Sequence, residues 1–157
     1  MISRLVLAVA VTTALAGATA PALSTARADA ADGTMERQLD ELAAELTTLV
    51  ETDDATPHGD ARRVVGLRLP ARTYTSAHVD YLRFRERAGV GVATWKIGSR
   101  ERTELLVDVP IRPTVPTDRL EEHGSHRLLF VLTRSDGRRV LTVHRFKSEA
   151  GARGGHA

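Results

Sequence analysis

Apolar and polar positions follow three different patterns along this chain of 157 residues. The first is a run of mostly apolar residues from Leu5 to Leu23. The second, between Met35 and Leu49, repeats apolar residues at steps of four and three, which is typical of one face of an α-helix. Beyond residue 60, apolar residues alternate with polar ones, as in strands with one buried face. These patterns predict an α+β fold: an N-terminal hydrophobic segment, then one amphipathic helix packed on an antiparallel sheet of about six strands.

The first 28 residues have the features of an export signal. Arg4 supplies a positive start, an apolar core follows, and the Ala-Arg-Ala sequence at 26–28 offers small residues for cleavage. The 19 residues at 5–23 are also close to the roughly 20 that a helix needs to cross a bilayer. We therefore expect residues 1–28 to be a cleaved signal peptide or a retained transmembrane anchor. In either case we expect the rest of the chain to be extracytoplasmic, secreted or anchored to the cytoplasmic membrane facing outward.

Residues 29–60 are predicted to form an acidic amphipathic helix and a linker. Asp32 or Thr34 is placed to cap this helix, and Asp, Pro and Gly residues after position 52 indicate its end. We expect its apolar seam to pack on the chain's own sheet. The alternative is a coiled-coil contact with a partner, although two and a half heptads are short for one. The candidate interaction residues of the seam are Leu39, Leu42, Leu46 and Leu49.

Residues 61–148 are predicted to form a basic antiparallel β domain. Short connections at 85–90 and 135–137 favour hairpins, and hence antiparallel neighbours. Residues 110–116 contain three prolines and indicate an extended loop. The Gly-rich tail at 149–157 is expected to be disordered. The six predicted strands are Arg63–Leu69, Val79–Arg85, Val90–Ile97, Thr103–Val109, Arg127–Arg134 and Arg139–Phe146.

Charge divides the chain into two parts of opposite sign. From Asp29 to Asp60 there are ten acidic residues and one basic residue, whereas the chain from Ala61 onward has 19 basic and ten acidic residues. Parts of opposite charge either dock on each other or meet different partners, and we expect docking within the chain. The alternative is an arginine-rich sheet face that binds an acidic glycan or other polymer. Candidate residues on such a face are Arg68, Arg83 and Arg85.

No combination of residues assembles a convincing catalytic site. Cysteine is absent, which excludes thiolate metal sites, cysteine nucleophiles and disulfides. His123 and His126 are weak candidate metal ligands, because Gly124 between them indicates a turn and no third ligand has a recognisable spacing. The six aromatic residues are few for the stacking platforms of proteins that bind single-stranded nucleic acid. We expect a protein that is not an enzyme, has no cofactor and does not bind nucleic acid.

Three strand-like segments, Arg62–Pro70, Val79–Arg83 and Arg138–Lys147, resemble an uncharacterised family of haloarchaeal proteins. The similarity spans residues 1–148. It implies genes near type IV pilus-like assembly components and a cell-surface accessory subunit of unknown activity. The order of hydrophobic helix, amphipathic helix and antiparallel sheet is also similar to the layout of pilins. Pilins have an acidic residue near the start of their apolar run, and this chain does not. The resemblance therefore implies an envelope location rather than membership of a filament.

Two functional hypotheses follow from the sequence. The first is a non-enzymatic extracytoplasmic accessory or pilin-like component of cell-surface machinery, with a protein partner in the cell envelope. Such a component would contact the membrane through residues 5–23 if these are not cleaved. The second is a secreted module that binds an acidic polymer through an arginine-rich face. Neither the identity of the partner nor the oligomeric state follows from these patterns.

Overall fold

The computed structural model describes residues 2–56, 58–114 and 118–146, with side chains described from Ala22 onward. The predicted tail at 149–157 lies outside the described residues. The defined elements are α1 (Ile2–Thr52), β1 (Ala61–Leu69), β2 (Tyr81–Arg87), β3 (Val90–Ile97), β4 (Arg100–Val107), β5 (Ile111–Pro113), β6 (Gly124–Ser135) and β7 (Arg138–Phe146).

The strands form two sheets that pack face to face and are closed on one side by the helix. Sheet A has the order β1-β6-β7-β5, and sheet B is the antiparallel meander β2-β3-β4. Between the sheets, the rings of Phe84 and Phe130 meet edge to face with centroids 5.9 Å apart. α1 contacts the edge strands β1 and β4, while β2 and β5 lie next to each other. The helix therefore covers the open side of the pair of sheets, and the predicted α+β class is confirmed.

The prediction of a single antiparallel sheet is wrong, for two physical reasons. The strap, which we define as residues 70–80, is too long for a hairpin and carries the chain from sheet A to sheet B. In addition, part of the proline-rich segment forms β5, which pairs in parallel with β7. Prolines are tolerated there because β5 is an edge strand. Its flanking groups still bond to β7, since Leu141 N–H donates to Pro110 O at 2.9 Å and Thr114 N–H donates to Val143 O at 2.9 Å.

The predicted cap near residue 32 is also wrong, because α1 continues through it without a break. Asp32 is buried, and its carboxylate accepts a hydrogen bond from Trp95 Nε1 at 2.8 Å. The Thr34 hydroxyl donates to the carbonyl of Ala30, 2.9 Å away, within the helix. Both residues therefore have partners that do not require a helix terminus.

The apolar seam of α1 packs on both sheets as expected, and the helix ends at Thr52. Arg139 of β7 donates from its guanidinium to the carbonyl of Val50 at 2.9 Å. A cation at this end complements the helix dipole and satisfies a carbonyl of the last turn. The seam residues are each at most 1% exposed: Met35, Leu39, Leu42, Leu46 and Leu49.

The N-terminal part of α1 is the segment for which a signal peptide or membrane anchor is predicted. The backbone is helical from Ile2, and the side chains of residues 1–21 lie outside the described part of the chain. No helix within the described residues has a stretch long and apolar enough to cross a membrane.

Candidate functional site

The outward side of sheet A carries arginines whose positions are set by strand register. Alternation along β1 buries Val65, Leu67 and Leu69 and turns the intervening residues to solvent. Pairing of β1 with β6, β6 with β7 and β7 with β5 extends this outward set across the sheet. We term this surface the outer face, and it includes Arg62, Val64, Arg68, Arg112, Arg127, Leu129, Val131, Thr142, His144 and Phe146.

The register fixes the size of the outer face. Arg62 is opposite Val131, Val131 is opposite Thr142, and Thr142 is opposite Arg112. Three strand spacings therefore separate the Cα atoms of Arg62 and Arg112, which is about 14 Å. Arg68 lies six residues from Arg62 along β1, or about 20 Å. These cations frame an area large enough to contact several units of an extended polymer.

Apolar side chains lie among the cations of the outer face. Val64 is 43% exposed, and it pairs across the sheet with the half-buried Leu129. Phe146 is 47% exposed, and the guanidinium of Arg127 lies over its ring, 5.8 Å from the centroid. A surface of this kind can contact the C–H face of a sugar ring while the arginines bind its carboxylate or sulfate groups.

The arginines of the outer face have no direct carboxylate partners among the described residues. None of Arg62, Arg68, Arg112 and Arg127 takes part in the ion pairs found within the described residues. No aspartate or glutamate occupies an outward position on the described parts of these four strands. Guanidinium groups that form no ion pair with the described residues are available to an anionic partner.

Three carboxylates of the acidic helix pair with arginines of β4. Arg100 pairs with Asp29 at 2.6 Å, and Arg102 pairs with both Asp32 at 2.6 Å and Glu36 at 2.9 Å. These contacts are the docking within the chain that the division of charge predicts. They involve β4 of sheet B, and none of the outer-face residues Arg62, Arg68, Arg112 and Arg127 pairs with a described carboxylate of the helix.

The structure does not bring the three predicted arginines together. Arg68 lies on the outer face, and its backbone is held by α1: its N–H donates to Gln38 Oε1 at 2.8 Å, and its carbonyl accepts from Gln38 Nε2 at 3.0 Å. Arg83 and Arg85 lie on β2 of the other sheet, where both are half-buried. Only Arg68 of the three therefore belongs to the candidate site.

Arg83 and Arg85 have local surroundings that differ from those of the outer face. The guanidinium groups of Arg83 and Arg119 lie 5.5 and 4.3 Å from the ring centroid of Tyr81. The Tyr81 hydroxyl donates a hydrogen bond to Glu101, and this bond raises the pKa of Tyr81. The Nε of Arg85 is buried and has no hydrogen-bond partner among the described residues.

The leucines predicted as an interaction surface are part of the core. Each is at most 1% exposed and packs within the same cluster as the inward residues of both sheets. A partner could reach these side chains only if the helix left the sheets. The structure therefore corrects the partner interpretation of Leu39, Leu42, Leu46 and Leu49 in favour of intramolecular packing.

The structure places His123 and His126 in different surroundings. His126 is 4% exposed, and its Nε2 lies 2.6 Å from the backbone oxygen of Glu122, which assigns the proton to this nitrogen. His123 is exposed, and its ring lies against that of His78 with centroids 5.7 Å apart. Within the part of the chain that the structure describes, no three histidine, aspartate or glutamate side chains are grouped to hold a metal ion.

A carboxyl group with altered acidity lies where α1 meets β4. Burial raises the pKa of Glu104 to about 7, with further contributions from the charge of Asp40, a hydrogen bond with Asp40 and the charge of Glu36. Glu104 therefore keeps its proton up to about neutral pH. This group belongs to the contact between helix and sheet, and not to the outer face.

Sequence reasoning selected Arg68 but did not select its neighbours on the outer face. Alternation along the strands is the signal that places Arg62 and Arg127 outward, once β1 and β6 are known to pair. Arg112 lies in the proline-rich segment, and its parallel pairing with β7 has no local sequence signature.

Comparison with known proteins gives a family but no activity. No curated protein matches the chain, and no solved structure matches it. Residues 1–146 match DUF7311, a domain of unknown function, and this confirms the resemblance to an uncharacterised family. Since the match covers all seven strands and the helix, including its N-terminal hydrophobic segment, the protein belongs to the DUF7311 family.

Proposed function

We propose that this protein is a non-enzymatic accessory component of the cell envelope that binds an acidic polymer through the outer face of sheet A. The observation that carries the proposal is the set of four outward arginines without carboxylate partners among the described residues. The resemblance to haloarchaeal proteins encoded near type IV pilus-like components supports an address on the cell surface.

The physical basis of binding is multivalent electrostatics. A guanidinium group binds a carboxylate or sulfate with two parallel hydrogen bonds, and each contact releases counterions from the polymer. A sheet face with separated arginines fits an extended chain better than a small molecule, which requires a concave pocket. The apolar side chains of Val64 and Phe146 add contact area that does not depend on salt.

Neutralising three outer-face arginines is expected to abolish most of this binding. The variant combines Arg62→Gln, Arg68→Gln and Arg127→Gln in the full-length chain, with polygalacturonate as the probe. We expect affinity at low salt to fall by about tenfold or more, and the slope of log K against log salt to decrease by about two, because each lost contact removes released counterions. Titration calorimetry at several salt concentrations measures both quantities.

The matched control removes the same charge elsewhere. Arg37, Arg87 and Arg134 are exposed, form no ion pair with a described residue, and lie away from the outer face. Their triple replacement by glutamine is expected to reduce affinity by no more than about twofold, through net charge alone. Equal losses in the two triple variants would reject the outer face as the binding site.

A second candidate, favoured by the continuity of α1, is a pilin-like subunit held by its N-terminal helix. The helix runs from Ile2 to Thr52, and its C-terminal part packs on both sheets. Arg27 bonds to the strap through its side chain and its backbone carbonyl. An apolar run that continues into a helix packed on the sheets is the arrangement that an anchored subunit requires.

The native protein is expected to retain residues 2–28. Cleavage after Ala28 would remove Arg27, whose Nε donates to the carbonyl of Tyr74 at 2.7 Å and whose carbonyl accepts from Ala77 N–H at 3.0 Å. Mass spectrometry of the N-terminal peptide from the native host tests this expectation. A mature N-terminus at Asp29 or Ala31 would reject the anchored subunit and leave a secreted polymer-binding module.

A further inference from the structure

A pocket of about 350 Å³ lies where α1, the strap and the turn between β3 and β4 meet. Its helical wall is residues 24–28, its second wall comes from the strap, and its third is residues 97–100. Pockets that bind small molecules begin at about 300 Å³. This one has room for a phosphate group with a small attached moiety, and it lies outside the outer face of sheet A.

Two bonds hold the strap against the helical wall. Ala77 N–H donates to the carbonyl of Arg27 at 3.0 Å, and Arg27 Nε donates to the carbonyl of Tyr74 at 2.7 Å. The guanidinium of Arg27 also lies 5.3 Å from the centroid of the Tyr74 ring. The Arg27 side chain is therefore held by two contacts, which lowers the entropic cost of using it as a ligand.

The third wall is held to both of the others. Gly98 N–H in the turn donates to Asp80 Oδ2 at 2.8 Å, which connects the turn to the strap. Arg100 pairs with Asp29 at 2.6 Å, which connects the turn to α1. Each wall is thus bonded to the other two, and the pocket exists before any ligand binds.

The lining of the pocket is cationic and rich in hydroxyl groups. Arg27, Arg72 and Arg100 contribute guanidinium groups, and Ser76 and Ser99 contribute hydroxyls. No carboxylate is among the described residues that line it; Arg100 is paired with Asp29, whereas Arg72 forms no ion pair with a described residue. Guanidinium and hydroxyl donors around one cavity are the groups that bind a phosphate.

We propose that this pocket binds a phosphate group, presented to it as the headgroup of an anionic lipid. The apolar run at 5–23 ends directly before Ser24, where the helical wall begins. A helix that leaves the apolar part of a bilayer at this point crosses the headgroup layer within the next few residues. The pocket then lies at the depth of the lipid phosphates and orients the folded part on the membrane. This proposal rests on retention of residues 2–28, and it is independent of polymer binding by the outer face.

The test measures binding of two phosphate probes to the full-length chain in a non-ionic detergent. The probes are inorganic phosphate and short-chain phosphatidylglycerol, with short-chain phosphatidylcholine as the zwitterionic comparison. We expect phosphatidylglycerol to bind and Arg72→Gln to weaken its affinity about tenfold, as for the loss of a charge-assisted hydrogen bond. The control is Arg87→Gln, which removes the same charge from an exposed arginine on β2 and is expected to change affinity less than twofold.

The outcomes separate the two sources of phosphate. Preferential binding of phosphatidylglycerol supports the lipid headgroup, whereas binding of inorganic phosphate alone keeps the phosphate pocket and rejects the lipid. No binding of either probe, or equal losses in the Arg72 and Arg87 variants, overturns the proposal. Because the purified chain contains residues 2–28, cleavage in the cell cannot produce a negative result here. Unchanged polygalacturonate binding by the Arg72 variant would confirm that the two sites are distinct.

Discussion

Replacing Asp32 by asparagine is expected to lower the free energy of unfolding by about 2 to 4 kcal/mol. Asp32 is 6% exposed, and both of its carboxylate oxygens are used. Oδ1 accepts from Trp95 Nε1 at 2.8 Å, and Oδ2 pairs with Arg102 Nε at 2.6 Å. An amide has one acceptor oxygen, so either the indole loses its partner or the Arg102 guanidinium keeps only its pair with Glu36. The expected loss is a large part of the roughly 5–15 kcal/mol that stabilises an ordinary domain.

Urea unfolding of the full-length chain measures this effect, with the fluorescence of Trp95 as the probe, since Trp95 is the single tryptophan and is 2% exposed. Asp29→Asn is the matched control, because Asp29 also pairs with an arginine of β4. The side chains of Asp29 and Arg100 are 59% and 44% exposed, so the control should lose only about 0 to 1 kcal/mol. Similar losses in the two variants would mean that burial of Asp32 has no special effect.

Asp32 also explains why the start of the packed helix could not be predicted. An aspartate before an amphipathic run is typical of an N-cap, and this local pattern is all that the sequence offers. Its actual partner, Trp95, is 63 residues away along the chain. The apolar seam from Met35 to Leu49 needed only the local period of 3.6 residues, and its prediction is confirmed.

The same distinction between local and distant contacts applies to the sheets. The hairpins β2–β3 and β6–β7 have short turns with recognisable residues, and both are found. The division into two sheets depends on where the strap leads, and the pairing of Ile111 with Leu141 joins segments 30 residues apart. Neither feature has a turn or a period that marks it in the sequence.

The part of the candidate site that depends only on local alternation could be predicted from the sequence. The alternation of apolar and polar residues along β1 is visible in the sequence, and it places Arg68 on the outward side. The order of strands in the sheets is required to place Arg112 on the same surface and Arg83 on a different sheet. A count of arginines in the basic half predicts a cationic protein but not which arginines share a face.

Replacing Glu104 by glutamine is expected to stabilise the protein above pH 7 and to have little effect below about pH 4. The pKa of Glu104 is raised to about 7 by burial and by the nearby Asp40 and Glu36. The folded state therefore keeps a proton that the unfolded state releases as pH rises from about 4.5, and the stability contributed by this group is lost by about pH 7. Glutamine stays neutral and can still donate to Asp40. Allowing for solvent screening, we expect a gain of about 1 to 2 kcal/mol at pH 8.

Free energies of unfolding at pH 4, 6 and 8 test the expected dependence on pH, and carbon NMR of the labelled carboxyl group gives the titration of Glu104 directly. Glu41→Gln is the control: Glu41 is exposed on α1, so its replacement should change stability by a similar small amount at each pH. Arg102 is the charged neighbour on β4, but it is paired with Asp32 and Glu36 and cannot neutralise Glu104. A titration midpoint below pH 5, or a Glu104→Gln effect that is equal at pH 4 and pH 8, would show that the carboxyl group is solvated and that the contact of α1 with β4 does not respond to pH.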